Sequence, residues 1–333
     1  MSNRRELTAF DDVVRRVRFR SSTSYTIDGE IVEQTPSEPT RPATGDSSPA
    51  IVRQLQHHIY ERCYLERTTT AAAPAGPLTD ETPALASANV NVDRWDPGWT
   101  ITRINADGSV LVAREGKSRM VWGGEYHSTL IGTPPFEGAV VRLFVPHESS
   151  AMQPGFYFAF GDVLGDQLED LGMVRLYWNV GAATAPELLN ELVSRLRHYH
   201  VPFRLKALSA REFYPRPDAF VVYVTQRYLP ITFRVARAVH ASLSGKLGER
   251  APLFTRALAR GVGFAEDPGN GESFGMSRCR VAAEGLWNAH VTNARDEIGV
   301  HEVVDAYARR SGLDPARPWL NPGSTDVYDW DQG

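Results

Sequence analysis

Lysine is nearly missing from this chain: of 36 basic residues only three are lysine, at positions 117, 206 and 246. Cysteine is as scarce. Cys63 and Cys279 stand far apart and form no metal-binding spacing, which excludes a disulfide scaffold and points to a reducing cytoplasm. No apolar run reaches the roughly eighteen residues of a membrane span, and the first twenty residues contain no signal-peptide core. No Walker loop occurs, G-x-S-x-G occurs only as GESFG at 271–275 within the glycine-rich loop, and the nine histidines are scattered, His198 and His200 falling at a helix end where a cation suits the dipole. These absences leave a folded, cytoplasmic protein with no membrane segment and no call for a cofactor or metal.

Charge is uneven. The chain carries −4 overall, yet Leu171–His290 holds 14 Arg, 2 Lys and 9 acidic residues, a net of +7 that leaves −11 for the remainder. A basic segment in an acidic protein points to an anionic ligand, and without an aromatic single-strand platform or zinc spacing it does not point to nucleic acid.

Three regions follow from periodicity. Residues 1–94 read as a variable helical region with linkers: an amphipathic start, the helix IVRQLQHHIYERCYLER, and two Pro/Ser/Thr/Ala-rich stretches, Glu33–Pro49 and Thr68–Pro83. Residues 95–150 read as a β-meander, since WTITRI, NADG, SVLVAREG and SRMVWGG alternate about a hairpin signal, and AVVRLFVP and GFYFAFG continue as strands. From 151 to 322 the order is strand MVRLYWNV, a helix with a capping box at Thr184 and Glu187, strands FRLKAL and AFVVYVT, a helix over 231–247, a long loop GVGFAEDPGNGESFG and the helix SRCRVAAEGLWNAH. The fold class is α+β: a small mixed β-sheet with helices on one face.

The chemistry lies on the other face of that sheet. Alternation sets Arg175, Tyr177 and Asn179 opposite the apolar Val174, Leu176 and Trp178. The same rule pairs Arg204 with Lys206 and adds Tyr223 from the third strand. Guanidiniums, an ammonium and phenols on one face make a phosphate cradle. The glycine loop ends at a helix N-terminus, where Ser273, Arg278 and Arg280 are further candidate phosphate contacts, although Glu272 could neutralise Arg280 internally. Such a site can bind, hydrolyse or eliminate phosphate. Hydrolysis usually calls for a metal with a carboxylate or histidine cluster, or for a nucleophilic cysteine in an anion-binding loop, and neither is visible in the sequence. Elimination calls for a base, and lysine can lose its proton among cationic neighbours where arginine cannot. Lys206, two residues from Arg204, is the candidate.

RLYWN, PFRLK, DAFVVYV, PLFT and above all GVGFAEDPGNGESFGMSRCR resemble the Hop A family of type III effectors over Gly155–His290, with a fainter likeness in RWDPGWTITRINADG. Members of that family in class V lanthipeptide and thioamitide gene clusters work beside an aminoglycoside-phosphotransferase-like kinase. The kinase phosphorylates Ser or Thr of a ribosomal precursor peptide, and the Hop A-like protein eliminates the phosphate to leave dehydroalanine or dehydrobutyrine. The arrangement is also similar to bacterial phosphothreonine lyases. The resemblance implies a lyase-like domain over 151–322, with Arg175, Arg204 and Tyr223 on phosphate and Lys206 as base. Tyr177 stands where those lyases have a histidine acid. The alternative is a non-catalytic, phosphate-recognising effector or scaffold that binds a kinase or host protein.

Overall fold

The computed structural model describes residues 8–35, 48–67, 76–128, 132–167, 172–214 and 216–331. Most of the two Pro/Ser/Thr/Ala-rich stretches and the first seven residues lie outside that set.

Three antiparallel sheets appear in chain order. The first joins β1 (Val17–Ser21), β2 (Ser24–Ile27) and β3 (Glu30–Glu33). The second contains β4 (Arg94–Ile104), β5 (Val110–Arg114), β6 (Lys117–Val121), β7 (Tyr126–Ser128) and β8 (Val140–Val145), around Trp99, Ile101, Val112 and Leu143. The third has β9 (Glu148–Ser149), β10 (Phe156–Phe160), β11 (Met173–Trp178), β12 (Arg204–Leu208), β13 (Phe220–Thr225), β14 (Arg256–Ala259) and β15 (Val262–Glu266). Its spatial order is β14-β15-β11-β13-β12-β10-β9.

Helices occupy both faces of the third sheet. On one, Val174, Leu176, Trp178, Leu205 and Val222 pack against α4 (Ala185–His198) and α5 (Leu229–Leu243) through Leu188, Leu192, Phe233 and Val239. On the other, Tyr177, Val221, Tyr223 and Ala265 share a core with α1 (Ala9–Arg16), α2 (Ala50–Ile59), α6 (Phe274–Val291) and α7 (Glu297–Arg310). A short helix, α3 (Thr82–Ala88), flanks α4.

The α+β class stands, and four details differ from the sequence reading. The seven-stranded sheet is antiparallel throughout rather than mixed. Its polar face is not left open, because the N-terminal region and α6 fold across it. The glycine-rich loop begins as a strand: Gly261, at φ 69°, turns the chain, and Val262 and Phe264 then face the α4/α5 core while Ala265 faces the other. Thr184 makes no capping bond, and Glu187 pairs instead with Lys246 at 2.6 Å. At the N-terminus a true capping box, Thr8 with Asp11, starts α1, and the chain leaves the helix at Val17 for β1. Among the described residues no helix is long and apolar enough to cross a membrane.

Candidate functional site

Strand order and register place the polar side chains in two parallel rows. Arg175 on β11 lies opposite Tyr223 on β13, which lies opposite Arg204 on β12. Two residues along, Tyr177, Val221 and Lys206 form the next row. Lys206 and Tyr177 are therefore two strands apart, about 10 Å between Cα atoms, with the small Val221 as floor between them. The gap between their side chains is part of a pocket of about 190 Å³.

Distant segments build its walls. The chain after α2 widens into one π-helical turn, Tyr60–Tyr64, which presents two tyrosines with rings stacked 5.3 Å apart. Gly275, in the first turn of α6, lets the helix approach them. A Cβ there would stand 2.6 Å from Tyr64 Cε1 and 2.9 Å from Tyr60 Cε2. Arg216 and Asp218, ahead of β13, pair with each other, Arg216 Nη2 lying 2.7 Å from Asp218 Oδ2. Gln153 and Phe156 close the side nearest Lys206.

Lys206 is half-buried. Its Nζ donates to Gln153 Oε1 at 2.8 Å and sits 3.6 Å above the Phe156 ring centre, and among the described residues no carboxylate lies within ion-pair distance of it. Burial pushes its pKa down to about 8; Arg216, Arg175 and Arg204 push the same way while Asp218 opposes them. Arg204 alone was the cause expected from sequence, whereas desolvation is the larger one. Tyr177 is buried, and its hydroxyl has no hydrogen-bond partner of good geometry among the described residues. Burial raises its pKa to about 12 against the pull of Arg175, so the phenol stays protonated at neutral pH.

Of the candidates named from sequence, Lys206, Tyr177, Arg175, Tyr223 and Ser273 line this pocket. Ser273 is the N-cap of α6 and its Oγ accepts from the Met276 N–H at 3.2 Å. Arg175 also braces the glycine loop, its Nε and Nη2 both 2.7 Å from Asp267 Oδ2. Arg204 lies next door. Its guanidinium stacks 4.6 Å over the Tyr223 ring, whose surroundings also include Arg175 at 5.2 Å, so the phenol separates the two cations.

Three candidates belong elsewhere. Asn179 follows the last residue of β11 and donates to the Arg250 carbonyl at 2.9 Å, pinning the turn before β14. Arg280 is held by Glu272 at 3.4 Å and Glu284 at 3.5 Å. Arg278, 2% exposed, donates to the carbonyls of Pro318 at 2.7 Å and Leu320 at 2.9 Å. It ties down the C-terminal segment and offers nothing to a ligand. Arg278→Ala is expected to lower stability by roughly 3 kcal/mol, on the scale of two buried carbonyls left unpaired, measured by urea unfolding. Affinity for a phosphorylated over an unphosphorylated peptide should be unchanged; a selective loss of phosphopeptide binding would return Arg278 to the site.

Sequence reasoning missed Tyr60, Tyr64, Gln153, Arg216 and Asp218, all brought in by tertiary folding. Arg216 and Asp218 carried one signal, a charged pair two apart directly before a strand of the site. Among the described residues no group of three or more His, Cys, Asp or Glu side chains is placed to hold a metal ion.

Two solved structures are similar. The effector protein from Pseudomonas syringae pv. syringae strain 61 matches with a TM-score of 0.43 at 15% identity, over 82% of this chain and 96% of that one. The effector protein from Pseudomonas syringae pv. tomato strain DC3000 matches with a TM-score of 0.39 at 20% identity, over 52% of this chain and 66% of the other. No curated protein matches. The model of the HopA1 effector protein family matches residues 147–320, which hold every strand of the seven-stranded sheet, and the chain belongs to that family.

Proposed function

We propose that this protein is a phospho-Ser/Thr lyase: it removes phosphate by β-elimination from a phosphorylated ribosomal precursor peptide, leaving dehydroalanine or dehydrobutyrine. The observation that carries the reading is Lys206, half-buried in a small cationic pocket without a carboxylate partner among the described residues, with its pKa drawn down to about 8 and a protonated phenol across the floor. Neutral Lys206 takes the Cα proton of the phosphorylated residue. The electron pair of that C–H bond forms the Cα=Cβ double bond, the Cβ–O bond breaks, and inorganic phosphate departs with its electrons and a proton from Tyr177. Arg216, Arg175 and Ser273 surround the space where the phosphate charge would sit. The partners of this reading are the precursor peptide and an aminoglycoside-phosphotransferase-like kinase that phosphorylates it, in the cytoplasm of a producing bacterium within lanthipeptide or thioamitide biosynthesis.

The test is a pre-phosphorylated peptide incubated with the protein alone, in the presence of a chelator. The peptide should lose the elements of one H₃PO₄ and gain an alkene. A product carrying a hydroxyl would overturn the lyase. The base must be unprotonated to act, so activity should rise with pH. kcat/KM should climb about tenfold per pH unit below about 8 and level off above it. A profile that is flat or falls from pH 6.5 to about 9 would remove Lys206 from the role of base.

A second reading has one observation in its favour: no histidine lines the pocket, and the phenol in its place is held at a high pKa. A phosphate-recognising scaffold or effector would bind the phosphopeptide tightly and return it intact.

A further inference from the structure

The pocket opens beside a larger groove, of about 710 Å³, that runs between the five-stranded and seven-stranded sheets. Tyr223 lines both. At the junction stands Arg204, which lines the groove and has neither a carboxylate within ion-pair distance nor a hydrogen bond at its buried Nε among the described residues. The other charged groups of the groove are already engaged. Arg119 donates to the Gly165 carbonyl at 2.9 Å, Glu125 accepts from the Trp122 N–H at 2.9 Å, and Asp267 holds Arg175. Away from the junction the wall is apolar. Met120 is 38% and Trp122 48% exposed, and Phe144 lies beside them. Exposed apolar side chains scattered singly need no explanation, but a Trp and a Met gathered on the wall of a groove that leads to a cationic pocket do.

The geometry points to this groove as the docking surface for the peptide chain that carries the phosphorylated residue. The chain lies extended between the sheets, sets an apolar side chain against Met120, Trp122 and Phe144, and passes Arg204, whose free guanidinium takes a peptide carbonyl or an acidic side chain next to the phosphorylated residue. A pocket of about 190 Å³ holds one phosphorylated side chain and little else, so selection among peptides has to be made outside it. Arg204 thereby reads the peptide rather than the phosphate that leaves. The inference rests on the lyase reading for its chemistry, but binding alone tests it.

Two phosphoserine peptides decide the matter, one with Leu or Phe on either side of the phosphoserine and one with Gly in those places. The wild type should favour the first at least about tenfold in kcat/KM, the gain expected from burying one apolar side chain. Trp122→Ala should remove that preference through KM, leaving kcat, the Gly-flanked peptide and inhibition by inorganic phosphate unchanged. Equal rates for both peptides in the wild type, or a loss in Trp122→Ala that is the same for both, would overturn the inference. If neither peptide turns over, dissociation constants of the same pair for wild type and Trp122→Ala decide instead. An apolar preference that disappears with Trp122 keeps the groove while the lyase falls, and no preference removes the groove.

Discussion

Lys206→Arg will still bind phosphopeptide but will lose elimination by about 10²–10⁴-fold, the usual contribution of a positioned base. The substitution keeps a cation on the same strand position. A guanidinium can still donate to Gln153 and stack on Phe156, so the charge seen by a bound phosphate is preserved. What disappears is a proton that can be lost near neutral pH. In wild type, burial and three arginines hold the ammonium at about 8, so an appreciable fraction is neutral at physiological pH. An arginine in the same environment remains protonated. The pH dependence of kcat/KM assigned to Lys206 should therefore vanish together with the rate. Lys206→Ala should be equally slow, and a small primary amine added to the solution should restore part of its activity by occupying the space beside Phe156. Single-turnover rates with saturating phosphopeptide separate chemistry from binding. Elimination within about tenfold of wild type in Lys206→Arg would make the residue an electrostatic contact and move the base elsewhere.

Much of this site could be read from strand alternation. A period of two placed Arg175 and Tyr177 on one face of β11 and Lys206 on one face of β12, and antiparallel pairing through β13 turned those local faces into two cross-strand rows. The rarity of lysine singled out position 206 before any geometry was known. Alternation failed at Asn179, which shares the parity of Arg175 but lies one residue past the ladder, where the chain has begun to turn. The reading failed differently at α6. Arginines in the first turns of a helix oppose the dipole and so look like anion ligands. Burial and the C-terminal segment that meets Arg278 are set by contacts some forty residues away, and helical period alone does not show them. The tyrosine wall was invisible for the same reason. Tyr60 and Tyr64 reach the pocket because a π-helical turn and Gly275 allow α2 and α6 to close over the sheet, a tertiary event with no local pattern to announce it.

Tyr177→Phe separates stability from catalysis more sharply than any other change in the site. The hydroxyl is buried and makes no hydrogen bond of good geometry among the described residues, although the Arg175 guanidinium and the Tyr64 phenol stand beside it. A buried hydroxyl left unpaired costs a fold about 1–3 kcal/mol, so Phe should leave thermal stability unchanged or raise it. On the proposed mechanism that cost is offset by a bound ligand. At pH 7 the phenol carries its proton, because burial holds its pKa near 12, and it faces across Val221 the proposed base, Lys206. Donation to the departing phosphate oxygen is what that placement can do. Tyr177→Phe should therefore reduce elimination by about 10²–10⁴-fold with phosphopeptide affinity changed by about tenfold or less. The loss should shrink when the substrate carries a β-leaving group that needs no proton, such as fluoride in place of phosphate. Two measurements decide it: thermal unfolding of the variant, and its rate on the two substrates. A variant that unfolds earlier than wild type and loses the same factor on both would show that the hydroxyl serves the fold and not the leaving group.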